Sequence, residues 1–598
     1  MPDRSQPLIR PRHRTLFQHF FRRFFDNDTL PISGDPETSV LRALCFCATP
    51  ALMFTVWLLP HYPNRPPWTM EADRYFFVLF SFVTMGTVAT CEWEMLFPDR
   101  SDFLILLPMP LKSRELLFAK GRALLSLFGM FLVGANLFSS ILFPAVSTAG
   151  FRNPIHTFWA HLVSVTLSGV FGAFSLLALE GLLICLLPGS WFRAVSTMIQ
   201  TISITALLLL FLLYPLISGY LKPLTEDSQG IGRFIPPLWF LAIYEELTLG
   251  NGAPGAAAAL SAMGVYATAA AVILALLTYA LAWTRQKKRA IEGASAARVQ
   301  RRGSFSLILN KTLLGQPQCR AIFHFLSQTI SRSPRYQIFL ALYAGAGLAL
   351  ALCSVITLSV ASNGMLEPGL SVAGLHAAPP LLIFWIIAGL RASFAFPIDL
   401  SARWVFPIAL RLGASSPFPG TFPGPAAKAS RTWVRLCCAA FVGVFLLLLF
   451  ALRWSLAAIV TQTVCTAGVS LLLSDLFFLG RTQIPFTRIR VSGLAVAFLL
   501  YVVFFPALIQ LTVQLEYAAE ARPAVLGWMV VGTISLHLLF RYADQLAQRG
   551  IIGGFPEDES DPGPQTLGLA QFTHLEYAVH EKSDWDSAKQ RGSYLGLD

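Results

Sequence analysis

Charged residues are scarce in this sequence, where Asp, Glu, Lys and Arg together make up 13% of 598 residues. A soluble globular chain carries about 25% charged residues, so the composition excludes an ordinary soluble protein. Hydrophobic residues supply 55% of the chain, and apolar runs recur at about the 20-residue length that crosses a bilayer. The composition therefore predicts an all-α polytopic membrane protein with the lipid bilayer as its first partner.

The sequence also lacks the short motifs of several enzyme and metal classes. Its nine cysteines form no C-x-x-C pair with zinc spacing and no disulfide framework. There is no H-E-x-x-H, no G-x-S-x-G and no G-x-x-x-x-G-K-[ST] phosphate loop. We therefore expect no catalytic residues, no metal, no cofactor and no ATP bound through that loop. Residues 1–38 are largely polar and Arg-rich, so no cleavable signal peptide is expected either.

The apolar runs predict about twelve transmembrane helices. They lie near residues 40–60, 75–97, 122–147, 157–187, 195–220, 258–284, 337–361, 377–398, 435–452, 454–478, 492–514 and 523–540. The basic residues behind the formal net charge of +12 concentrate in alternate loops, which by the positive-inside rule places both termini in the cytoplasm. The charge thus indicates multi-pass topology in the plasma or inner membrane, and no nucleic-acid partner.

The predicted spans divide into two six-helix halves. The predicted domains are a cytoplasmic segment 1–38 with an amphipathic interfacial helix at 15–26, a first half 39–284, a basic cytoplasmic linker 285–336, a second half 337–540 and a disordered cytoplasmic tail 541–598. An amphipathic piece at 321–330 mirrors the helix at 15–26. We interpret the halves as a parallel internal repeat, although inner loops of a basic membrane protein also share Phe, Pro and Arg without one. Residues 235–246 predict an outer re-entrant or interfacial segment.

A few polar side chains fall within the apolar runs, where an ionised group costs roughly 2.5–3.5 kcal/mol at mid-helix. Glu180 is the candidate for a polar pathway or an interhelical hydrogen bond. Glu92, Glu94 and Asp475 lie near inner helix ends, so we expect them to reach water. His161 and His537 have no neighbouring carboxylate in sequence, which favours helix packing over catalysis.

The densest polar pattern near the start of the chain lies in residues 91–122. Pro98 breaks the second span, an amphipathic patch follows, and Pro108 and Pro110 interrupt the chain again before the third span. Proline lacks the backbone N–H and fixes φ, so it stops or starts a helix. The pattern predicts a break, a short surface helix and a second break on one membrane face.

These residues resemble the inner loop of the permease subunit of type-2 ABC exporters. The match consists of Phe97-Pro98-Asp99-Arg100, then Leu107-Pro108-x-Pro110, then Arg114-Glu-Leu-Leu-x-Ala-Lys120. The order of surface helix, spans and outer re-entrant segment in the first half is similar too. The second half departs from the pattern, because the Pro-x-Pro, the terminal Lys and the re-entrant segment are not reproduced there.

The resemblance implies that residues 98–120 are a coupling helix that docks a separate, dimeric ABC ATPase, with one chain supplying both halves of an exporter of unknown substrate. Its implied docking residues are Asp99, Arg100, Phe103, Leu104, Leu107, Pro108, Pro110, Lys112, Arg114 and Lys120. Phe103, Leu104 and Leu107 would form the buried contact, and Lys112, Arg114 and Lys120 would meet an acidic groove. The corresponding second-half residues are Asp399, Arg403 and Trp404.

Two other functions stay open at this point. A secondary transporter of the six-plus-six kind fits the same architecture, although its usual Gly-, Asp- and Arg-containing loop between spans two and three is absent. A non-transporting membrane scaffold fits as well. An adjacent gene with a phosphate-loop motif would favour the exporter.

Overall fold

The computed structural model of the chain describes residues 12–25, 36–62, 67–97, 100–106, 108–147, 154–226, 231–249, 255–291, 314–360, 366–394, 425–479, 485–486 and 499–548. Up to residue 291 they form α1 (Arg12–Phe25), α2 (Pro36–His61), α3 (Pro67–Cys91), α4 (Trp93–Leu96), α5 (Arg100–Leu106), α6 (Ser113–Ser147), α7 (Pro154–Leu186), α8 (Gly189–Leu212), α9 (Tyr214–Ser218), α10 (Leu221–Glu226), a 3-10 helix (Ile231–Phe234), α11 (Pro236–Leu249) and α12 (Gly255–Ile291). Beyond it lie α13 (Pro317–Arg332), α14 (Pro334–Val355), β1 (Ile356–Val360), β2 (Leu366–Leu370), α15 (Val372–Ser393), α16 (Pro425–Ala451), α17 (Leu456–Phe477), a π-helix (Leu499–Phe504), α18 (Phe505–Ala521) and α19 (Pro523–Gln548).

Within the described residues, eleven helices are long and apolar enough to cross a membrane. They are α2, α3, α6, α7, α8, α12, α14, α15, α16, α17 and α19. The prediction of an all-α polytopic membrane protein is confirmed at this level. Of the span expected at 492–514, residues 492–498 lie outside the described part, and the rest is the π-helix followed by the start of α18.

A β-hairpin follows α14, which corrects the expected helical span at 337–361. The helix ends at Val355, and β1 pairs antiparallel with β2 from Ile356 opposite Leu370 to Val360 opposite Leu366. The sequence Ile-Thr-Leu-Ser-Val of β1 contains three β-branched residues, Ile356, Thr357 and Val360, and such residues favour a strand. Hydrophobicity alone could not separate this strand from the end of the span, because both are apolar.

The chain forms two compact units. The first contains 1–301, 333–389 and 509–516, and the second contains 302–332, 390–508 and 517–598. This division differs from the two halves read from the sequence, because 333–389 joins the first unit. The repeat stays a prediction.

Helix α7 lies at the centre of the first unit, between α3, α6, α11 and α12. Its backbone touches α3 closely: a Cβ atom at Gly172 would lie 2.6 Å from the carbonyl oxygen of Phe82. Ser81 Oγ donates to the Val165 carbonyl at 2.7 Å, and Ser168 Oγ donates to the Val78 carbonyl at 2.9 Å. Small residues and interhelical serine hydrogen bonds of this kind hold membrane helices together, where the hydrophobic effect supplies no drive between them.

In the second unit, α17 packs between α16 and α19, and α13 packs on α16. The amphipathic piece predicted at 321–330 is part of α13, which buries Cys319, Ile322, Phe323 and Leu326. In the first unit, the amphipathic helix predicted at 15–26 is α1, which packs on α6 and buries Phe20 and Phe24. The periodicity that predicted both helices is the pattern of their buried faces.

Candidate functional site

The carboxylate of Asp102, on the short helix α5, lies at the centre of a buried polar cluster. Lys120 Nζ, on α6, donates to Asp102 Oδ2 at 3.1 Å and to the Phe97 carbonyl oxygen at 2.9 Å. Arg23, on α1, pairs with the other carboxylate oxygen, Oδ1. The side chains of Lys120 and Asp102 are only 3% and 5% exposed. We call Asp102, Lys120, Arg23 and the Phe97 carbonyl the Asp102 cluster.

The local sequence explains why Lys120 meets a carbonyl there. Phe97 ends α4 with an extended backbone, at φ −104° and ψ 156°, because the proline that follows disfavours the helical region at the preceding residue. The carbonyl at such a helix end has no partner within the helix. Lys120 supplies the missing hydrogen-bond donor. Because α6 begins at Ser113, Lys120 lies in its second turn, and its ammonium group reaches the Phe97 carbonyl.

Aromatic contacts join α5 and the end of α4 to α12. The Phe103 ring meets the Trp283 ring edge-on at 5.2 Å between centroids, and the Phe97 ring lies 5.1 Å from the Tyr279 ring. Trp283 Nε1 donates to Ser113 Oγ, at the first residue of α6, at 3.1 Å. Aromatic pairs contribute about 0.5–1.5 kcal/mol beyond area burial. Helix α5 is therefore held by α1, α6 and α12 together.

Helix α1 contributes cation–π contacts to this arrangement. Lys120 Nζ lies 5.6 Å from the Phe20 ring centre, and the Arg122 guanidinium lies 5.7 Å from the Phe17 ring centre. Burial, and then the charges of Arg23 and Lys120, lower the pKa of His19 below its ordinary value of 6.5. The lowered pKa favours the neutral form of His19 near pH 7, and the arginines of α1 carry most of its positive charge.

The side of α5 that faces away from α1, α6 and α12 is exposed, and so is the turn that follows this helix. Leu104, Ile105 and Met109 have exposed fractions of 55%, 61% and 46%, and we call these three the exposed face. Pro108, Pro110, Lys112 and Arg114 beside them are exposed as well. A backbone hydrogen bond from Met109 N to the Leu106 carbonyl, at 3.3 Å, fixes the turn between α5 and α6. An apolar face beside two basic residues is suited to bind a partner with an apolar groove and an acidic rim.

The structure divides the predicted docking residues into internal and exposed ones. Phe103 and Lys120 are each only 2% exposed, so they hold the element in place and are not on its surface, contrary to their expected roles as a contact residue and a rim charge. Arg100 begins α5, and its side chain is outside the described part. The predicted residues Asp99, Leu107, Asp399, Arg403 and Trp404 also lie outside it.

Sequence reasoning missed Asp102 and Arg23, which organise the cluster. Asp102 lies 18 residues before Lys120 and 79 residues after Arg23. No helical spacing relates residues so far apart across proline breaks. The one signal in the sequence was the position of Asp102 on the apolar side of a short amphipathic helix. A buried carboxylate there requires a partner.

Glu180 is buried on α7, at 3% exposure. The neighbouring Gly181 approaches α12 so closely that a Cβ atom there would lie 2.5 Å from Thr278 Oγ1. The contact that is shown is that of Gly181, so an interhelical hydrogen bond of Glu180 stays a prediction. The place of Glu180 in a transport pathway stays a prediction as well.

Of the carboxylates expected to reach water near inner helix ends, Asp475 does not, and the side chain of Glu94 lies outside the described residues. Asp475 is 2% exposed and is paired with Arg435 Nη2 at 2.6 Å and with His537 Nδ1. Pairing with Arg435 and His537, rather than contact with water, thus explains how this buried carboxylate is tolerated. Glu92 is half-buried, and its Oε2 atom has no hydrogen-bond partner among the described residues. His537 lies at a helix contact, as predicted.

Nothing in the described part of the chain gathers three His, Cys, Asp or Glu side chains into a group that could hold a metal ion. Comparisons with protein-family models, curated protein sequences and solved structures found no match. The geometry of the chain itself must therefore support any functional proposal.

Proposed function

We propose that this chain is the permease subunit of an ATP-driven exporter of the ABC type, and that the exposed face of residues 98–120 docks a separate ATPase. The supporting observation is the Asp102 cluster, which fixes a short helix to α1 and α6 while leaving Leu104, Ile105 and Met109 exposed. The resemblance of residues 97–120 to the inner loop of such permeases gives the partner its class.

The geometry is suited to transmitting a push. Helix α6 runs unbroken for 35 residues from Ser113, which corresponds to about 52 Å at the α-helical rise. Its second turn bears Lys120, so a displacement of α5 acts on α6 through a buried charge pair rather than through a flexible loop. Rigid-body movement of packed helices is an established way to convert such a displacement into a change of access across the membrane.

Introduction of a negative charge on the exposed face tests this function. The tagged chain would be purified from membranes of its native host, and ATP hydrolysis and the proteins retained would be measured for the wild type, Met109→Glu and Phe234→Glu. Phe234 is 80% exposed and lies in the loop predicted to face outside, so it makes a matched control. We expect a phosphate-loop ATPase with the wild type and with F234E, and its loss with M109E. Equal retention by M109E, or no ATPase with the wild type, would exclude docking at this face.

A secondary transporter is the second candidate, and one observation favours it. Arg435 and His537 meet the buried carboxylate of Asp475 within helices long enough to span the membrane, and intramembrane ionisable groups of this kind commonly serve ion coupling. Vesicles containing this chain alone, under an imposed pH gradient and without ATP, separate the two functions. Solute-dependent collapse of the gradient that Asp475→Asn abolishes would support this candidate over the exporter.

A further inference from the structure

Helix α1 has one side that packs inward and another side that is basic and exposed. Phe20 lies in the hydrophobic core of the first unit. Arg14 and Arg22 are exposed, and α1 contains no aspartate or glutamate. The ion pair that α1 contributes to the Asp102 cluster uses Arg23. Among the described residues Arg14 and Arg22 form no ion pair, so nothing there compensates their charges.

Two further exposed arginines come from the long helices that pack against α1. Arg122 is on α6, and its guanidinium lies 5.7 Å from the ring centre of Phe17 on α1. Arg42 lies near the start of α2. Both arginines are exposed, and neither forms an ion pair within the part of the chain that the structure describes. We call Arg14, Arg22, Arg42 and Arg122 the arginine group.

The three helices that carry the arginine group are packed together. Helix α1 lies against both α2 and α6, and α2 lies against α6. Phe20 of α1 shares one hydrophobic cluster with Leu116, near the start of α6, and with Leu44, near the start of α2. A Cβ atom at Gly134 of α6 would lie 2.7 Å from Leu44 Cδ2. The arginine group is thus assembled around the end of the unit at which α2 and α6 begin.

Exposed apolar side chains flank the arginines of α2 and α6. Phe118 and Leu125, about one turn to either side of Arg122, are both exposed, Phe118 to 68%. Phe46, one turn after Arg42, is 81% exposed. Both helices are long and apolar enough to cross a membrane, so apolar side chains exposed on them face lipid. An arginine at such a position lays its apolar stem along the lipid and places its guanidinium among the headgroups.

The charge of this surface selects among lipid headgroups. The acidic residues on the three helices are Glu115, half-buried two turns before Arg122, and Glu37, whose side chain lies outside the described part. The surface therefore keeps a net positive charge. A zwitterionic headgroup brings its own cation with its phosphate and cannot balance that charge. An acidic headgroup can, and a guanidinium binds phosphate through two parallel hydrogen bonds. Basic clusters beside membrane helices are attracted to acidic lipid in this way.

We propose that the arginine group binds the headgroups of acidic phospholipids in the leaflet at which α1 lies. The guanidinium groups contact lipid phosphate, while Phe46 and Phe118 lie against the acyl chains. Bound lipid on one side and the Asp102 cluster on the other then hold α1 in place. The proposal does not depend on an ATPase at the exposed face, because the two surfaces share no residue.

The melting temperature of the full-length chain in detergent micelles tests the proposal. Phosphatidylglycerol or phosphatidylcholine would be added in equal amounts, at neutral pH and fixed ionic strength. We expect phosphatidylglycerol to raise the melting temperature of the wild type more than phosphatidylcholine does. The variant R22Q/R42Q/R122Q, which removes one arginine from each helix, should lose at least half of this difference. Lysine at the same three positions keeps the charges and should keep most of the difference.

Two controls separate a lipid site from other effects of charge. R233Q/R453Q/R522Q removes the same number of exposed arginines from loops predicted to face outside, and it should keep the full response to phosphatidylglycerol. Equal losses in the two triple variants would show a dependence on net charge alone and would overturn the proposal. Glycerol phosphate, which has no acyl chains, should not raise the melting temperature of the wild type. A rise equal to that with phosphatidylglycerol would show a phosphate site without lipid and would also overturn it.

A second measurement keeps the test decisive if the triple variant does not fold. Native mass spectrometry would count the lipids retained by the wild type and by the milder variant R22Q/R122Q from an equimolar mixture of the two lipids. We expect the wild type to retain phosphatidylglycerol in preference to phosphatidylcholine, and the double variant to retain less of it. Equal retention of the two lipids by the wild type would contradict the proposal.

Discussion

Replacement of Lys120 by methionine tests the Asp102 cluster most sharply. Methionine keeps the unbranched apolar stem that packs near Phe20 but removes the ammonium group, which donates to the Phe97 carbonyl at 2.9 Å and to Asp102 Oδ2 at 3.1 Å. The buried Phe97 carbonyl then loses this donor, and Asp102 loses the ion pair with Lys120 while keeping the one with Arg23, whose side chain is 30% exposed.

The magnitude follows from these contacts. An unsatisfied buried carbonyl costs about 1–3 kcal/mol, and breaking a buried ion pair costs about 3–5 kcal/mol. Because Arg23 still neutralises Asp102 in part, the second contribution is reduced, and we expect a total loss of about 3 kcal/mol in the free energy of unfolding. The double variant D102N/K120M should recover about 1–3 kcal/mol relative to the sum of the two single variants, which is the coupling of residues in contact.

Unfolding in detergent micelles, followed by tryptophan fluorescence, measures these values, and Trp283 lies within the affected region. Lys112→Met is the matched control, because Lys112 is exposed and surface substitutions usually change stability by less than about 0.5 kcal/mol. A K120M variant as stable as K112M, or strict additivity in the double variant, would refute the account of the cluster.

Two further predictions concern the helix packing and its pH dependence. Gly172→Ala should lose about 1–3 kcal/mol in the free energy of unfolding, because the new methyl group would lie 2.6 Å from the Phe82 carbonyl oxygen. Gly129→Ala is the control and should not be destabilised, because no atom lies within 4 Å of the new methyl group. Equal free energies of unfolding for the two variants would count against close α3–α7 contact. Burial raises the pKa of Glu92, just after the third helix, from 4.5 to about 7, so ionisation opposes folding and stability falls as the pH rises through that interval. Glu92→Gln should therefore match the wild type at low pH and exceed it by on the order of 2 kcal/mol above neutrality; a constant difference at all pH values would contradict this.

The positions of the membrane helices could be predicted from the sequence because every span needs an apolar run of about 20 residues to cross the bilayer. The same reasoning predicted a short helix between Phe97 and Lys120, where α5 lies, since prolines mark helix ends locally. The hairpin after Val355 was missed because an apolar strand and the end of an apolar helix have the same hydrophobicity.

The roles of individual polar residues depended on distant partners, and this is why sequence reasoning failed for them. Lys120 was expected at the surface because basic residues in inner loops usually are, yet it is buried by Asp102 and the Phe97 carbonyl. Asp475 was expected to reach water, yet it meets Arg435 and His537 from two other helices. Such pairings arise from helix packing, and no spacing along a single segment reveals them.

Photo-crosslinking at Met109 is the most direct test of the central claim that the exposed face of residues 98–120 receives an ATPase. A photoreactive amino acid would replace Met109 in membranes of the native host, with position 234 as the control, and cross-linked products would be identified by mass spectrometry. The account predicts a protein carrying G-x-x-x-x-G-K-[ST] cross-linked from position 109 and absent from position 234. Products consisting of lipid alone, or of a protein from the outer side of the membrane, would contradict it.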